Sequence, residues 1–269
     1  MKNISQWEAS KIRAKSSKSG RKFTVNANKI SPSSLYITLE AFRVLNHHKS
    51  YLKGSLVDLG CGMVPYYEWY KDRVDRITCV DWYSSLHESK HIDVFADLNQ
   101  TLPLVDGVAD SVLSTSVLEH IREPKVFFQE VSRILAPDGH LVLSVPFQYN
   151  LHEEPFDYYR YTSYGLEHLA KEAGLEVVSL QNYGSALGVI VDVSSKVFSS
   201  IVFSISMLFP KLIGGAIRRT SSLIIRQIQK LLFTILHQPL ILLVLKNLNL
   251  SQKIVLGYVI VLKPKAVVK

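Results

Sequence analysis

The segment 55–62 is a short apolar run that contains Asp58 and ends in a tight turn with two glycines, Gly60 and Gly62. Glycine has no Cβ and adopts positive φ without strain, so the backbone of such a turn can pass close to a ligand. A second predicted strand ends at Asp81, about twenty residues further on, where nucleotide-binding units place a carboxylate on a ribose hydroxyl. Together these residues predict a site for an adenosine-containing cofactor.

A second group of reactive side chains lies in the segment 146–162, which follows another predicted strand. Loops at that end of a sheet close over ligands and supply groups that bind a substrate. His152 is the predicted base, because an imidazole takes up protons near neutral pH. The planar guanidinium of Arg160 suits a phosphate or carboxylate, and Asp157 would align either side chain. An ion pair of Asp157 with Arg160 that only orders the loop fits the sequence equally well.

Strands and helices alternate through the middle of the chain. This order predicts an α/β fold, a doubly wound seven-stranded Rossmann-like sheet whose ligand lies at the carboxyl ends of the strands. The strands are expected at 55–59, 77–81, 93–98, 111–114, 140–145, 175–180 and 254–262. The helices are expected at 34–51, 66–74, 123–135 and 162–173.

Charge divides the 269 residues into unlike segments. Residues 1–30 carry a net charge of +7, residues 31–185 carry −9, and residues 186–253 carry +7. Such basic segments indicate an anionic partner surface, either phospholipid headgroups or nucleic acid. The N-terminal segment lacks the interleaved aromatic residues that stack on bases, which argues against nucleic acid.

The segment 186–253 is long for a connection between two strands. It contains two apolar runs, 197–209 and 223–250, which Pro210 and Pro239 interrupt. Because of these prolines, neither run is expected to reach the roughly twenty residues that span a bilayer. Apolar helices with scattered cations suit the membrane interface. A helical cap on the body or on a second subunit is the alternative.

These patterns divide the chain into four parts. The prediction is a basic flexible arm, a cofactor-binding core, an apolar basic helical insertion, and a final core strand with a tail, at 1–30, 31–185, 186–253 and 254–269. The two cysteines, Cys61 and Cys79, are too few for a disulfide framework and indicate a reducing, cytoplasmic setting. The first residues have no continuous apolar stretch and do not resemble a secretory signal.

Five motifs follow one another along the core. They are Val-Asp-Leu-Gly-Cys-Gly (57–62), Val-Asp-Trp (80–82), Ala-Asp-Leu (96–98), Asp-Ser-Val-Leu-Ser-Thr-Ser-Val-Leu-Glu-His (110–120) and Arg-Ile-Leu-Ala-Pro-Asp-Gly-His-Leu-Val-Leu (133–143). In this order they resemble the class I S-adenosylmethionine-dependent methyltransferases, of the small-molecule, type 11-like kind. The resemblance covers residues 50–185 and the final strand. Val64 stands where many relatives have a third glycine, and Pro65-Tyr66 resembles a subgroup associated with surface-polysaccharide biosynthesis.

The resemblance implies roles for the residues of the first motif. The main chain of Gly60, Cys61 and Gly62 would approach the methionine part of S-adenosyl-L-methionine, and Asp58 would receive its ammonium group. Ser114, at the end of the fourth strand of the core, would lie below the sulfonium.

Four further residues would bind the adenosine part. Asp81 would accept hydrogen bonds from both ribose hydroxyls, and Trp82 would pack on the adenine. Asp97 would accept from the adenine amino group, and Leu98 would offer its backbone amide. The pair at 119–120 would shape the cofactor pocket. No metal site is predicted.

The function implied is O-methylation of a glycan or lipid-linked intermediate near the inner membrane face, by a cytoplasmic or peripheral membrane protein. The sequence leaves open a soluble small molecule or a quinone as acceptor, an oligomeric state, and a non-catalytic membrane-docked partner with the same fold. A nicotinamide-dependent oxidoreductase would need a fuller glycine turn that opens directly into a helix, and Pro65 argues against it.

Overall fold

The computed structural model describes residues 1–9, 11–17, 20–83, 90–239, 241–242 and 254–266. A two-stranded hairpin of β1 (Ile12–Ser17) and β2 (Gly20–Val25) precedes the main sheet. The main sheet contains β3 (Gly54–Leu59), β4 (Val74–Asp81), β5 (Val94–Phe95), β6 (Ala109–Thr115), β7 (Leu135–Pro146), β8 (Leu175–Tyr183) and β9 (Gly257–Pro264).

The strand order in this sheet is β5-β4-β3-β6-β7-β9-β8. The first five strands in that order run parallel, and β9 lies antiparallel between β7 and β8. The chain order reverses direction beside β3, so the carboxyl ends of β3, β4 and β6 enclose the crevice that such sheets use for ligands. The predicted doubly wound seven-stranded sheet is confirmed.

Helices cover both faces of the sheet. They are α1 (Pro32–His47), α2 (Tyr67–Tyr70), α3 (Pro124–Ile134), α4 (Ser163–Glu172), α5 (Ala186–Ser206) and α6 (Lys211–Leu236). The side chain of Ser31 caps α1 by accepting from the amide of Ser33, and Thr162 caps α4 by accepting from Gly165. The residues Pro-Asp-Gly at 137–139 are part of β7, which pairs with β6 across a register shift.

Each face of the sheet has its own apolar core. On one face Tyr36, Trp69 and Tyr70 pack without solvent exposure, and on the other Phe127 and Phe128 do. Full burial of a large apolar side chain contributes about 1.5–3 kcal/mol. The sheet that carries the site is therefore held rigidly from both sides.

The N-terminal segment differs from the flexible arm that its composition predicts. Ile12 of the hairpin is fully buried, and Trp7 donates from its indole nitrogen to the carbonyl of Val64 at 3.1 Å. The Lys49 ammonium lies 3.7 Å from the centre of the Phe23 ring, a cation–π contact. These few apolar anchors fix the described part of the segment on the core, which a composition dominated by Lys and Ser conceals.

The predicted helical insertion is present as α5 and α6, which pack on each other and on α1. Gln229 donates to the carbonyl of Pro32 at 2.9 Å, and the ring of Phe233 meets Tyr36 edge-on. The helix α5 is 21 residues long and, by length and composition, could cross a membrane, and 17% of its apolar window is buried. The expectation that no segment reaches that length fails because α5 begins at Ala186, before the first apolar run. Of the second run, residues 240 and 243–250 lie outside the described part.

Candidate active site

A crevice of about 620 Å³ opens at the carboxyl ends of the parallel strands, within the size range of small-molecule sites. It lies beside the residues that end or follow β3, β4, β6 and β7. Its lining includes Gly60, Gly62, Asp81, Trp82, Asp97, Leu98, Glu119, His120, Tyr149, His152 and Phe156. The crevice thus brings together the predicted cofactor turn and the predicted base.

The glycine turn forms one wall of the crevice. Gly60 has a φ of +70° and Gly62 a φ of +49°, in the left-handed region where other residues are strained. A Cβ on Gly60 would lie 2.4 Å from Cγ2 of Val117. The backbone amide of Gly62 donates to Oδ2 of Asp81 at 2.7 Å, and the amide of Trp82 donates to Oδ1 at 2.8 Å. These bonds hold the Asp81 carboxylate at the edge of the crevice.

The arrangement of this wall fits the adenosine part of the predicted cofactor. A carboxylate oxygen can accept more than one hydrogen bond, so Asp81 has acceptor positions for ribose hydroxyls. The rings of Trp82 and Phe156 meet edge-on with centroids 5.1 Å apart and both line the crevice, which offers an apolar surface for a purine. Asp97 lines the same region, where Oδ1 accepts from the amide of Asn99 at 2.9 Å.

Three residues predicted to approach the cofactor, Cys61 among them through its main chain, are not among the described residues that line the crevice. Asp58 is buried and accepts from the hydroxyl of Tyr70 at 2.9 Å, and Cys61 is buried with its thiol near the carbonyl of Gly62. Ser114 is fully buried, and the crevice is lined instead by Thr115, which ends β6, and by Ser116, which follows it.

Asp58 makes the stability of the cofactor-free protein depend on pH. Burial raises its pKa to about 7, although the hydrogen bond from Tyr70 opposes the shift. The folded state therefore favours the protonated carboxyl, and stability is expected to fall as pH rises from about 4 to about 7, by about 4 kcal/mol for the full shift. Urea denaturation at pH 5 and pH 8 measures this effect. Asp58→Asn should reduce the difference between the two pH values, and an undiminished difference would contradict the account.

The loop between β7 and α4 holds His152 in a fixed orientation. Nδ1 of His152 lies 3.1 Å from Oδ2 of Asp157, whose side chain is 1% exposed. Arg160 donates to both carboxylate oxygens of Asp157, at 2.6 and 2.7 Å. Burial raises the pKa of Asp157, but the hydrogen bonds from Arg160 and from the backbone of His152 outweigh it and lower the pKa to about 2.

Arg160 is not among the described residues that line the crevice. Its geometry matches the loop-ordering ion pair that the sequence left open. Asp157 aligns His152 and lies beneath the crevice surface. Burial and the neighbouring His120 lower the pKa of His152, which favours the neutral imidazole.

Glu119 lies next to His120 and His152. It is fully buried, and its Oε1 lies 3.9 Å from Nε2 of His152 and 4.0 Å from Nε2 of His120. Burial raises its pKa to about 8. The position of the 119–120 pair after β6 is the signal that marked it as part of the pocket, but its approach to His152 joins residues 33 positions apart and is not visible in the sequence.

Tyr149 and part of α1 complete the crevice. The hydroxyl of Tyr149 lies 2.8 Å from Oγ of Ser34, and Lys196 of α5 lies over the Tyr149 ring at 4.0 Å. Lys11 of the N-terminal segment lines the same space. No motif in the sequence connects these residues, because they come from four separate segments that meet only in the fold.

Residues 57–143, from β3 to β7, match the family described as a methyltransferase domain. The thiol S-methyltransferase TMT1B of Homo sapiens is 33% identical over 99 residues, which are 32% of this chain and 40% of that protein. TMT1B of Mus musculus is 30% identical over 97 residues, 32% of this chain and 39% of that protein. The chain thus spans about two fifths of the length of these curated relatives.

Solved structures share the fold at low sequence identity. A putative sarcosine dimethylglycine methyltransferase from Galdieria sulphuraria has a TM-score of 0.50 and 14% identity, over 83% of this chain and 84% of that one. The Haemonchus contortus phosphoethanolamine N-methyltransferase 2, in complex with S-adenosylhomocysteine, has a TM-score of 0.50 and 11% identity, over 92% of this chain and 62% of that one.

The sheet order and the similar solved structures show the fold that S-adenosylmethionine-dependent methyltransferases share. Residues 57–143 of the core are similar to a methyltransferase domain.

Proposed function

We propose that the chain transfers a methyl group from S-adenosylmethionine to an oxygen of a lipid or lipid-linked acceptor, such as a glycan precursor, at the inner face of a membrane. The observation that carries the methyl transfer is the shared crevice, in which the turn at Gly60 and the carboxylate of Asp81 face the same space as His152. When bound, the cofactor supplies an electrophilic methyl group. The residues described above supply its binding and the alignment of the acceptor.

The glycine turn binds the cofactor, and the loop between β7 and α4 acts on the acceptor. The backbone around Gly62 and the carboxylate of Asp81 hold the cofactor, so that the acceptor enters from the side of His152. Nδ1 of His152 donates to Asp157, which leaves the lone pair of Nε2 toward the crevice, as assigned from its hydrogen-bond partners. His152 then accepts the proton of the acceptor while the heteroatom attacks in line, a reaction that depends mainly on alignment.

The exposed end of the α5–α6 pair supports the membrane part of the proposal. The connection between the helices and the start of α6 expose apolar side chains, with Leu208 82% and Leu212 87% exposed. Arg218 and Arg219 lie one to two turns further along α6, and Asp192 is the only acidic residue of the segment 186–253. An apolar patch next to cations is typical of proteins that lie in the interface of anionic membranes.

The same helices connect this patch to the crevice. Lys196 of α5 contacts the ring of Tyr149, which lines the crevice, and α6 binds the residues at the start of α1 through Gln229. An acceptor with a lipid tail could therefore reach His152 while its tail stays at the membrane surface.

A thiol is the second candidate acceptor. The relatives that match the core are thiol S-methyltransferases, and a thiol also gains from a base that removes its proton. Supplying labelled S-adenosylmethionine with membranes of the source organism or with a small thiol distinguishes the two. Label in the organic extract supports the lipid acceptor, and label only in the methylated thiol replaces it.

Flotation with vesicles tests the membrane part. The full chain is expected to float with vesicles that contain phosphatidylglycerol, and Leu212→Asp is expected to weaken this binding about tenfold or more, since burial of a leucine contributes 1.5–3 kcal/mol. Val105→Asp is the matched control, because Val105 is 70% exposed and lies in the core domain. Equal flotation of the two variants, or no flotation of the unchanged chain, would contradict the proposal. A dimer that Leu212→Asp dissociates would instead support the second-subunit alternative.

A further inference from the structure

Glu119 is a buried carboxylate that the methyl transfer does not explain. Its residue is 0% exposed, and neither Oε1 nor Oε2 has a hydrogen-bond partner on another described residue. A buried polar group without a partner is costly, and in native proteins it commonly marks an ion or water. The groups that face it are Nε2 of His120 and Nε2 of His152, at 4.0 and 3.9 Å from Oε1.

Nδ1 of each histidine lies within hydrogen-bond distance of an acceptor. Nδ1 of His120 lies 2.8 Å from the carbonyl oxygen of Phe156, and Nδ1 of His152 lies 3.1 Å from Oδ2 of Asp157. Each Nδ1 therefore carries the hydrogen, and each Nε2 presents its lone pair to the space beside Glu119. Histidines that bind metals almost always donate their second nitrogen to a carbonyl or carboxylate in this way.

We infer that Glu119, His120 and His152 bind a divalent transition-metal ion such as zinc or iron. One ligand atom from each residue lies within 4.8 Å of the other two. Metal–ligand distances of about 2.0–2.2 Å bring ligand atoms to roughly 3.0–3.5 Å from one another, so the widest pair of ligand atoms would need to close by at most about 1.8 Å. Two imidazoles and one carboxylate favour zinc, iron or nickel over magnesium and calcium, which prefer oxygen ligands.

The charges around the cluster are compatible with a cation. Arg160 is neutralised by its paired contact with Asp157, and Lys11 and Glu153, which also line the crevice, carry opposite charges. A bound cation would displace the proton of Glu119, and its carboxylate would then supply the negative charge of the site. All three ligands line the crevice, so the remaining coordination positions face the space where an acceptor would bind.

This inference concerns the binding of an ion and holds for the site independently of the proposed reaction. Where both hold, His152 is a ligand rather than the base, and the ion lowers the pKa of an oxygen or sulfur acceptor bound to it. Loss of His152 would then reduce metal binding as well as turnover, which a simple base would not do.

Metal titration of the full chain without a polyhistidine tag tests the inference. Cobalt(II), followed by its visible absorption, and zinc, followed by elemental analysis after dialysis, are expected to bind with a stoichiometry of one. Glu119→Gln and His152→Ala should each weaken cobalt binding by at least about 100-fold, since loss of an outer partner alone costs 10–100-fold. His168→Ala is the control, because His168 lies on α4 with a 66% exposed side chain.

Binding of S-adenosylhomocysteine shows that each variant is folded and separates the two proposals. Absence of cobalt and zinc binding in a chain that binds S-adenosylhomocysteine would overturn the metal site and leave the methyl transfer standing. Equal cobalt affinity of Glu119→Gln and the unchanged chain would also overturn it. Metal binding without S-adenosylhomocysteine binding would support the site and contradict the proposed function.

Discussion

Gly60→Ala is expected to weaken the binding of S-adenosylhomocysteine by about 100-fold or more, equivalent to about 3 kcal/mol. The added Cβ would lie 2.4 and 2.6 Å from the two Cγ atoms of Val117, far inside van der Waals contact. Val117 lines the crevice and can yield only by moving into the space that the cofactor needs or by displacing the turn. Isothermal titration calorimetry measures the change.

Gly107→Ala is the matched control for this prediction. Gly107 has a φ of +66°, close to the +70° of Gly60, but a Cβ there would meet no atom within 4 Å. The backbone strain should therefore cost both variants a similar amount, about 1–2 kcal/mol. Only Gly60→Ala also places an atom against Val117 in the crevice wall. Equal affinities of the two variants for S-adenosylhomocysteine would show that the turn at Gly60 is not the cofactor site.

His152→Ala is expected to reduce turnover by about 10²- to 10⁴-fold, the range that a positioned proton acceptor supplies. The affinity for S-adenosylhomocysteine should change little, because the residues proposed to hold the cofactor, the turn at Gly60 and Asp81, do not include His152. Single-turnover transfer of labelled methyl groups measures the rate, and calorimetry measures the affinity.

His168→Ala provides the comparison, since this histidine is exposed on α4, where its Nε2 lies 3.7 Å from Oε1 of Glu172. It should keep the unchanged rate. A His152→Ala rate within twofold of the control would remove His152 from the chemistry. A parallel loss of rate and of cofactor affinity would indicate that the substitution disturbs the loop as a whole.

The sheet was predictable because its signals are local. Short apolar runs flanked by Gly, Pro and Asp fixed six of the strands to within a few residues, and the predicted third strand at 93–98 is reduced to Val94–Phe95. The turn at Gly60 and the strand end at Asp81 were placed correctly in the same crevice, since the carboxyl ends of neighbouring parallel strands meet at one edge.

The features that the sequence did not reveal depend on contacts between distant segments. The predicted flexible arm is fixed by Ile12 and Trp7, two residues whose burial requires partners elsewhere in the chain. Ser114 is buried within β6, one residue before Thr115, where the lining of the crevice begins. Arg160 could be read as a substrate ligand or as a partner of Asp157, and only the fold decides that it holds the loop.

The role of Glu119 also depends on a contact between distant segments of the chain. An acidic residue after a strand suggested only a pocket wall, because its approach to His152 depends on how the loop between β7 and α4 folds back. A site formed by two distant loops is therefore visible in the structure and not in a sequence motif.

The most direct test is a crystal structure of the chain with S-adenosylhomocysteine. The account predicts the ribose hydroxyls on the carboxylate of Asp81, the adenine beside Trp82 and Phe156, and the sulfur directed toward His152. A ligand bound elsewhere, or a crevice that stays empty at saturating ligand, would contradict it.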